Sequence, residues 1–81
     1  MKISFIVIEY HSLSEILSSC ASIRNSITYE LEYEIIISSN STYPVEEQVS
    51  IQANNQGEKW VFNARNGGFA YAMNEGLKAA T

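Results

Sequence analysis

Ile3-Ser4-Phe5-Ile6-Val7-Ile8 is nearly continuous in apolar and β-branched residues. A run of this kind suits a strand covered on both faces, as in a parallel sheet, rather than a strand with one wet face. Two further strand-like runs follow, Tyr33 to Ile37 and Lys59 to Phe62, and helical patterns lie between and after them. Strands that alternate with helices bring the strands side by side in parallel through right-handed crossovers. The order βαβαβα therefore predicts an α/β fold, a Rossmann-like three-layer unit with a parallel sheet. No repeat, linker or internal boundary interrupts it, so residues 1–81 read as a single domain.

The local signals along the chain agree with that order. Ser12-Leu13-Ser14-Glu15 matches a capping box, with Ser12 accepting from the first turn and Glu15 reaching back. Leu13, Ile16, Leu17, Cys20 and Ile23 then share one helical face, which predicts a helix to about Arg24 or Asn25. Glu30, Glu32 and Glu34 alternate with Leu31 and Tyr33, so an earlier start of the second strand, with one wet face, is a second reading. Ser38 to Thr42 reads as a loop by composition. Pro44 fits the first position of a short helix, with Glu46 and Glu47 near its positive end. Asn54-Asn55-Gln56-Gly57 closes that helix and turns the chain. The third helix is expected from Gly68 or Phe69 to Ala80. Gly76 lies inside it, where glycine costs about 1 kcal/mol relative to alanine, so close packing is expected there.

Composition narrows the functions open to such a fold. The 81 residues are 46% hydrophobic and 17% charged, as in a globular domain, and hold no apolar run long enough to span a bilayer. A chain of this length builds one small core. The run after Met1-Lys2 is too short and too β-branched for a signal peptide. A formal net charge of −4, with five scattered basic residues, argues against a nucleic-acid partner. The single Cys20 cannot form an internal disulfide and reads as a buried small hydrophobe in a reducing compartment. All nine acidic residues are Glu. Chemistry that needs an Asp metal clamp or an Asp base has no such residue here. No His and Cys cluster has zinc-ligand spacing, the glycines form no dinucleotide or phosphate-loop fingerprint, and no Ser lies in a Gly-x-Ser-x-Gly elbow.

Ligands of open α/β sheets bind beyond the carboxyl ends of the strands. Three clusters meet that condition: Glu9-Tyr10-His11, Ser38 to Thr42, and Asn63 to Gly68. They are polar and precede helix N-termini, which receive anions, so a nucleotide diphosphate is a natural guest. Each has a plainer reading. Glu9 and Arg65 could be solvated charges, His11 a residue flanking a helix, and Ser38 to Thr42 turn and cap residues. Gly67 and Gly68 could serve only a tight turn. Asn40-Ser41-Thr42 also spells a glycosylation acceptor, read as accidental without a secretory signal.

Asn66-Gly67-Gly68-Phe69-Ala70-Tyr71-Ala72-Met73-Asn74-Glu75-Gly76-Leu77-Lys78-Ala79-Ala80 resembles the third helix of family 2 glycosyltransferases, in particular their rhamnosyltransferase-like branch. Ile3 to His11 looks like that family's first strand, which usually ends in Tyr-Asn, and Leu17 to Ile23 like its first helix. Glu34 to Thr42 resembles its second strand and loop, usually Glu-Ile-Ile-Val-Val-Asp-Asn-x-Ser-Thr-Asp. The likeness covers essentially this whole chain and about the first third of a family domain.

The resemblance implies the first part of a GT-A fold, a truncated nucleotide-binding domain. Its ligand would be a nucleotide-diphosphate sugar, lined by Glu9, Tyr10, Ser39, Asn40, Arg65, Asn66 and Gly68, with Tyr10 able to stack on the base. The family's base-contacting Asp corresponds to Ser39, His11 replaces the usual Asn, and Met73 stands where many members have Arg. The family's Asp-x-Asp pair, which holds Mg or Mn, would follow Thr81 after a fourth strand. No catalytic, metal or cofactor residue is therefore expected in this chain, and no transfer by it alone. The implied setting is a cytoplasmic enzyme of bacterial polysaccharide biosynthesis. The free edge of residues 3–8 is expected to pair in a homodimer. The competing reading is a non-catalytic α/β module that self-associates through this edge and binds no nucleotide.

Overall fold

The computed structural model describes residues 2–27 and 32–80. Its elements are β1 (Lys2–Glu9), α1 (Leu13–Ser26), β2 (Glu32–Ser39), α2 (Val45–Ala53), β3 (Lys59–Phe62) and α3 (Gly68–Ala79). The strands form one parallel sheet in the order β1-β2-β3. The expected βαβαβα unit is thus the observed one. Its chain runs outward through β1, α1, β2, α2 and β3, and α3 then returns across the sheet to pack on β2 and β1.

Alternation along the strands divides the core between two faces. Phe5, Val7, Ile35, Ile37 and Trp60 meet Cys20, Ile16 and Ile23 of α1 on one face. Burial pushes the Cys20 thiol up, and Glu58 adds to this against Arg24, which fits an unreactive core residue. On the other face Ile6 and Ser38 lie against Gly76 of α3. A Cβ built on Gly76 would stand 2.6 Å from Ile6 Cγ2 and 3.5 Å from Ser38 Cβ. That is the packing reason expected for a mid-helix glycine. Ile6 is stiff at χ1, so its methyl cannot swing away cheaply. Gly76→Ala should therefore lose about 1–2 kcal/mol in urea unfolding, overpacking outweighing the gain in helix propensity. An unchanged or higher urea midpoint would show that β1 and α3 yield to the extra methyl.

Several local expectations are corrected. The most apolar strand is not the most buried one: Ile3 to Ile8 of β1 are only half-buried, whereas Ile35 to Ser39 of β2 are fully buried. β1 pairs on one side only among the described residues, while β2 has a strand on each side. Ser38 and Ser39 are strand residues rather than loop. In-register pairing to Ile8 and Glu9 and to Val61 and Phe62 carries the ladder to that point. The capping box does not form. Ser12 makes no side-chain cap bond, and the Ser12 N–H donates to Glu9, not to Glu15. Pro44 is the N-cap of α2, one position before the first helical residue. β2 begins at Glu32, and the earlier start at Glu30 and Leu31 lies outside the described residues.

Two ion-paired groups sit near the amino ends of β2 and β3. Arg24 Nη1 donates to Glu58 at 2.7 Å and Nη2 to Gln56 at 3.2 Å. Glu34 accepts from Ser4 at 2.6 Å and pairs with Lys59 at 3.0 Å. A cavity of about 300 Å³ opens between Arg24, Tyr33, Glu34, Gln56 and Glu58. It lies at the opposite end of the sheet from the three polar clusters.

Candidate functional site

The three polar clusters do meet at the carboxyl ends of the strands. The ladder continues past them: Asn40 N–H donates to Glu9 O at 2.8 Å, and Asn63 N–H to Ser39 O at 3.0 Å. Backbone bonds of this kind hold the first residue of each loop in line with the neighbouring strand.

Glu9 is the centre of the arrangement. It stands opposite Ser39 in the register and is 0% exposed. Its carboxylate accepts from Ser39 Oγ, from Ser41 Oγ at 2.7 and 2.9 Å, from Tyr43 Oη at 3.0 Å and from the Ser12 N–H at 2.9 Å. Burial alone would push this carboxyl up. The Ser39, Ser41 and Tyr43 hydroxyls and the Ser12 amide outweigh that effect and hold it below the usual carboxylate range. Burial likewise pushes the Tyr43 phenol up, and its bond to Glu9 adds to this. A solvated Glu9 is therefore excluded. Its charge ties the start of α1 to the loop after β2.

Ser41 links the two loops a second time, accepting from the His11 N–H at 2.8 Å. His11 and Thr42 both have positive φ, 51° and 54°, a region that non-glycine residues enter rarely. Each sits where its loop turns off the strand end, so the Glu9 and Ser41 bonds hold two strained turns in place.

A second network joins β2, β3 and α3. Asn63 Nδ2 donates to Ser38 Oγ and to Asn40 Oδ1, both at 3.0 Å, and Asn40 Nδ2 donates to Gly68 O at 3.1 Å. The buried Asn40 side chain is thus bonded at both its nitrogen and its oxygen, which argues against the glycosylation-acceptor reading for the folded chain. Gly68 has φ 88°, which glycine adopts without strain, and its N–H donates to Asn66 Oδ1 at 3.1 Å. The Arg65 guanidinium lies 4.5 Å from the centre of the Tyr71 ring.

The seven expected site residues thus fall into two groups. Glu9, Ser39 and Asn40 are buried and form a frame. Tyr10, Arg65, Asn66 and Gly68 are exposed. Tyr10 is 53% exposed, with its ring tilted against His11 at 4.2 Å. Phe69, 71% exposed, adds a second open aromatic at the start of α3. Ser41 and Asn63 fell inside the clusters named from the sequence but not among the seven expected ligands, and Tyr43 fell outside both. A signal for Ser41 and Tyr43 was present: a carboxylate ending an apolar strand needs donors, and the hydroxyl-rich segment after β2 supplies them. Among the described residues no group of three His, Cys, Asp or Glu could hold a metal ion, and both oxygens of Glu9 are committed. The described residues therefore do not fit a divalent-metal site. No helix among the described residues is long and apolar enough to cross a membrane.

A family model described as glycosyl transferase family 2 matches residues 4–81. No curated protein and no solved structure gives a match. The matched span takes in β1 from Ser4 onward, β2, β3, all three helices and each polar cluster at the strand ends. The chain therefore belongs to glycosyl transferase family 2.

Proposed function

We propose that this chain is the nucleotide-binding part of a glycosyltransferase and receives the diphosphate and base of a nucleotide-diphosphate sugar at the strand-end site. The observation that carries the reading is the family match across residues 4–81, which takes in the three clusters at the strand ends. The geometry supports it physically. The frame of Glu9, Ser39 and Asn40 is rigidly bonded, and pre-organised sites lose less on binding. Tyr10 offers an open ring for a base. Arg65, Asn66 and the Gly68 turn lie at the N-terminal end of α3, where backbone dipoles favour anions. Ser39 brings a hydroxyl rather than a carboxylate to the position of the family's base-contacting Asp. Glu9, the carboxylate bonded to it, acts as a positioning residue rather than a ligand.

In the whole enzyme the reaction would be transfer of a hexosyl or deoxyhexosyl group, as in the rhamnosyltransferase-like branch, to a glycan or lipid-linked acceptor. The setting would be bacterial polysaccharide biosynthesis in the cytoplasm. Mg or Mn would be held by ligands other than those described, and this chain alone would transfer no sugar.

An amide NMR titration with UDP, dTDP and GDP in the presence of Mg²⁺ tests the reading. Shifts confined to Glu9 to His11, Ser38 to Thr42 and Asn63 to Phe69 are expected. A well-dispersed spectrum that does not respond would overturn it. One observation favours a second reading, a non-catalytic module: β1 pairs on one side only among the described residues. An open strand edge is a template for pairing, here for a homodimer through residues 3–8. A monomeric mass in light scattering at high concentration would remove that reading.

A further inference from the structure

We infer that Asn66-Gly67 is a self-modification site, where the Asn66 amide is lost through attack by the next backbone nitrogen. This is the single Asn-Gly pair in the sequence. Asn66 is exposed, in the turn between β3 and α3. Gly67 has no side chain of its own, and the Tyr71 ring packs where its Cβ would stand. The Gly68 N–H donates to Asn66 Oδ1 at 3.1 Å. That oxygen takes the negative charge when a nucleophile adds to Asn66 Cγ, so the Gly68 amide stands as a ready oxyanion donor. The N-terminal end of α3 starts at Gly68 and adds positive partial charge at the same place.

The chemistry balances without a further reagent. Gly67 N forms a bond to Asn66 Cγ, the Cγ–Nδ2 bond breaks, and ammonia leaves with the proton from Gly67 N. The resulting succinimide takes up one water. Opening at Cγ–N gives an aspartate, and opening at the main-chain carbonyl gives an isoaspartate, which lengthens the backbone by one carbon. Either product places one new negative charge at the start of α3.

Asn55 is an internal control. Its Oδ1 accepts from the Gly57 N–H at 2.9 Å, the same i to i+2 bond, but Gln56 follows it. Asn40 and Asn63 are buried and held by hydrogen bonds. The new charge would weaken binding of a diphosphate, a consequence that rests on the function proposed above; the covalent change does not.

The test ages the 81-residue chain in mildly alkaline buffer, folded and in guanidinium chloride. Trypsin cleavage after Arg65 and Lys78 isolates residues 66–78 for fragment mass spectrometry. The expected result is the amide-to-acid mass gain at Asn66, as aspartate and isoaspartate, roughly tenfold faster than at Asn55, a barrier difference of about 1.4 kcal/mol. The gain should also be faster in the folded chain than in the denatured one. Absence of the gain at Asn66, or a slower gain when folded, would overturn the inference. UDP binding by fresh and aged chain is read separately. Failure of the fresh chain to bind counts against the donor reading and leaves the mass result standing.

Discussion

Glu9→Gln should lower the stability of the folded chain by about 2–3 kcal/mol, a large part of the roughly 5–15 kcal/mol that holds a typical domain together. The glutamine has almost the same shape, so packing is conserved and the change isolates the charge and its acceptors. The wild-type carboxylate accepts from three hydroxyls and one backbone N–H with no exposed surface. Glutamine keeps one acceptor oxygen and turns an NH₂ toward groups that donate. At least one buried donor then loses its partner, and its desolvation is no longer offset.

The pH dependence gives this prediction a sharper form. The Glu9 carboxyl is held below its ordinary value of 4.5 in the folded state. A group lowered on folding contributes stability in full above its unfolded value, and that stability is lost as pH falls through the folded value. The gap between wild type and Glu9→Gln in urea midpoint should therefore be widest near neutral pH. It should narrow below about 4.5 as Glu9 takes up its proton. A gap that stays constant into acid would mean that ionisation of Glu9 contributes nothing.

Arg24→Met should cost about 2–3 kcal/mol, toward the low end for a broken buried ion pair because the guanidinium is partly exposed. The Glu58 side chain is 1% exposed and Arg24 Nη1 lies 2.7 Å from its Oε2. Methionine keeps much of the arginine stem's packing on α1 but removes the positive charge. The carboxylate is then buried beside Cys20 and the β3 entry with no counter-charge, and Gln56 loses a donor. Replacing both partners tests the mechanism. The pair Arg24→Met with Glu58→Met should recover most of the loss, since a buried ion pair exchanged for apolar groups is often neutral. In the double-mutant cycle the two changes should couple strongly. A loss under about 0.5 kcal/mol for Arg24→Met would place the pair among surface contacts.

Both predictions turn on residues whose importance was uneven in the sequence. Glu9 stood out as a strand-end carboxylate, but whether it was wet or buried depended on Ser39, Ser41 and Tyr43. Those residues are 30 or more positions away along the chain. Arg24 and Glu58 are 34 positions apart, and no local pattern pairs them. By contrast the third strand, Lys59 to Phe62, and the helix from Gly68 were legible because each carries its own turn chemistry and apolar spacing. The capping box failed for a reason local patterns do not contain. Glu9, held at the end of β1 and opposite Ser39, takes the Ser12 amide that Glu15 would otherwise serve.

The sequence by itself determined the order of elements, the parallel sheet and the buried Cys20. It also determined where along the chain the polar clusters fall. These follow from near-neighbour periodicity and from the chirality of crossovers, which act within one or two elements. Only the tertiary structure decided which strand is most buried. Apolar β1 pairs on one side among the described residues, while β2, which ends in two serines, has a strand on each side. It also decided that Ser38 and Ser39 belong to the sheet, that Glu9 is buried among hydroxyls at the strand ends, and that Gly76 packs directly against Ile6. Each of these depends on atoms brought together from distant positions, where register and burial set the energy and local composition does not.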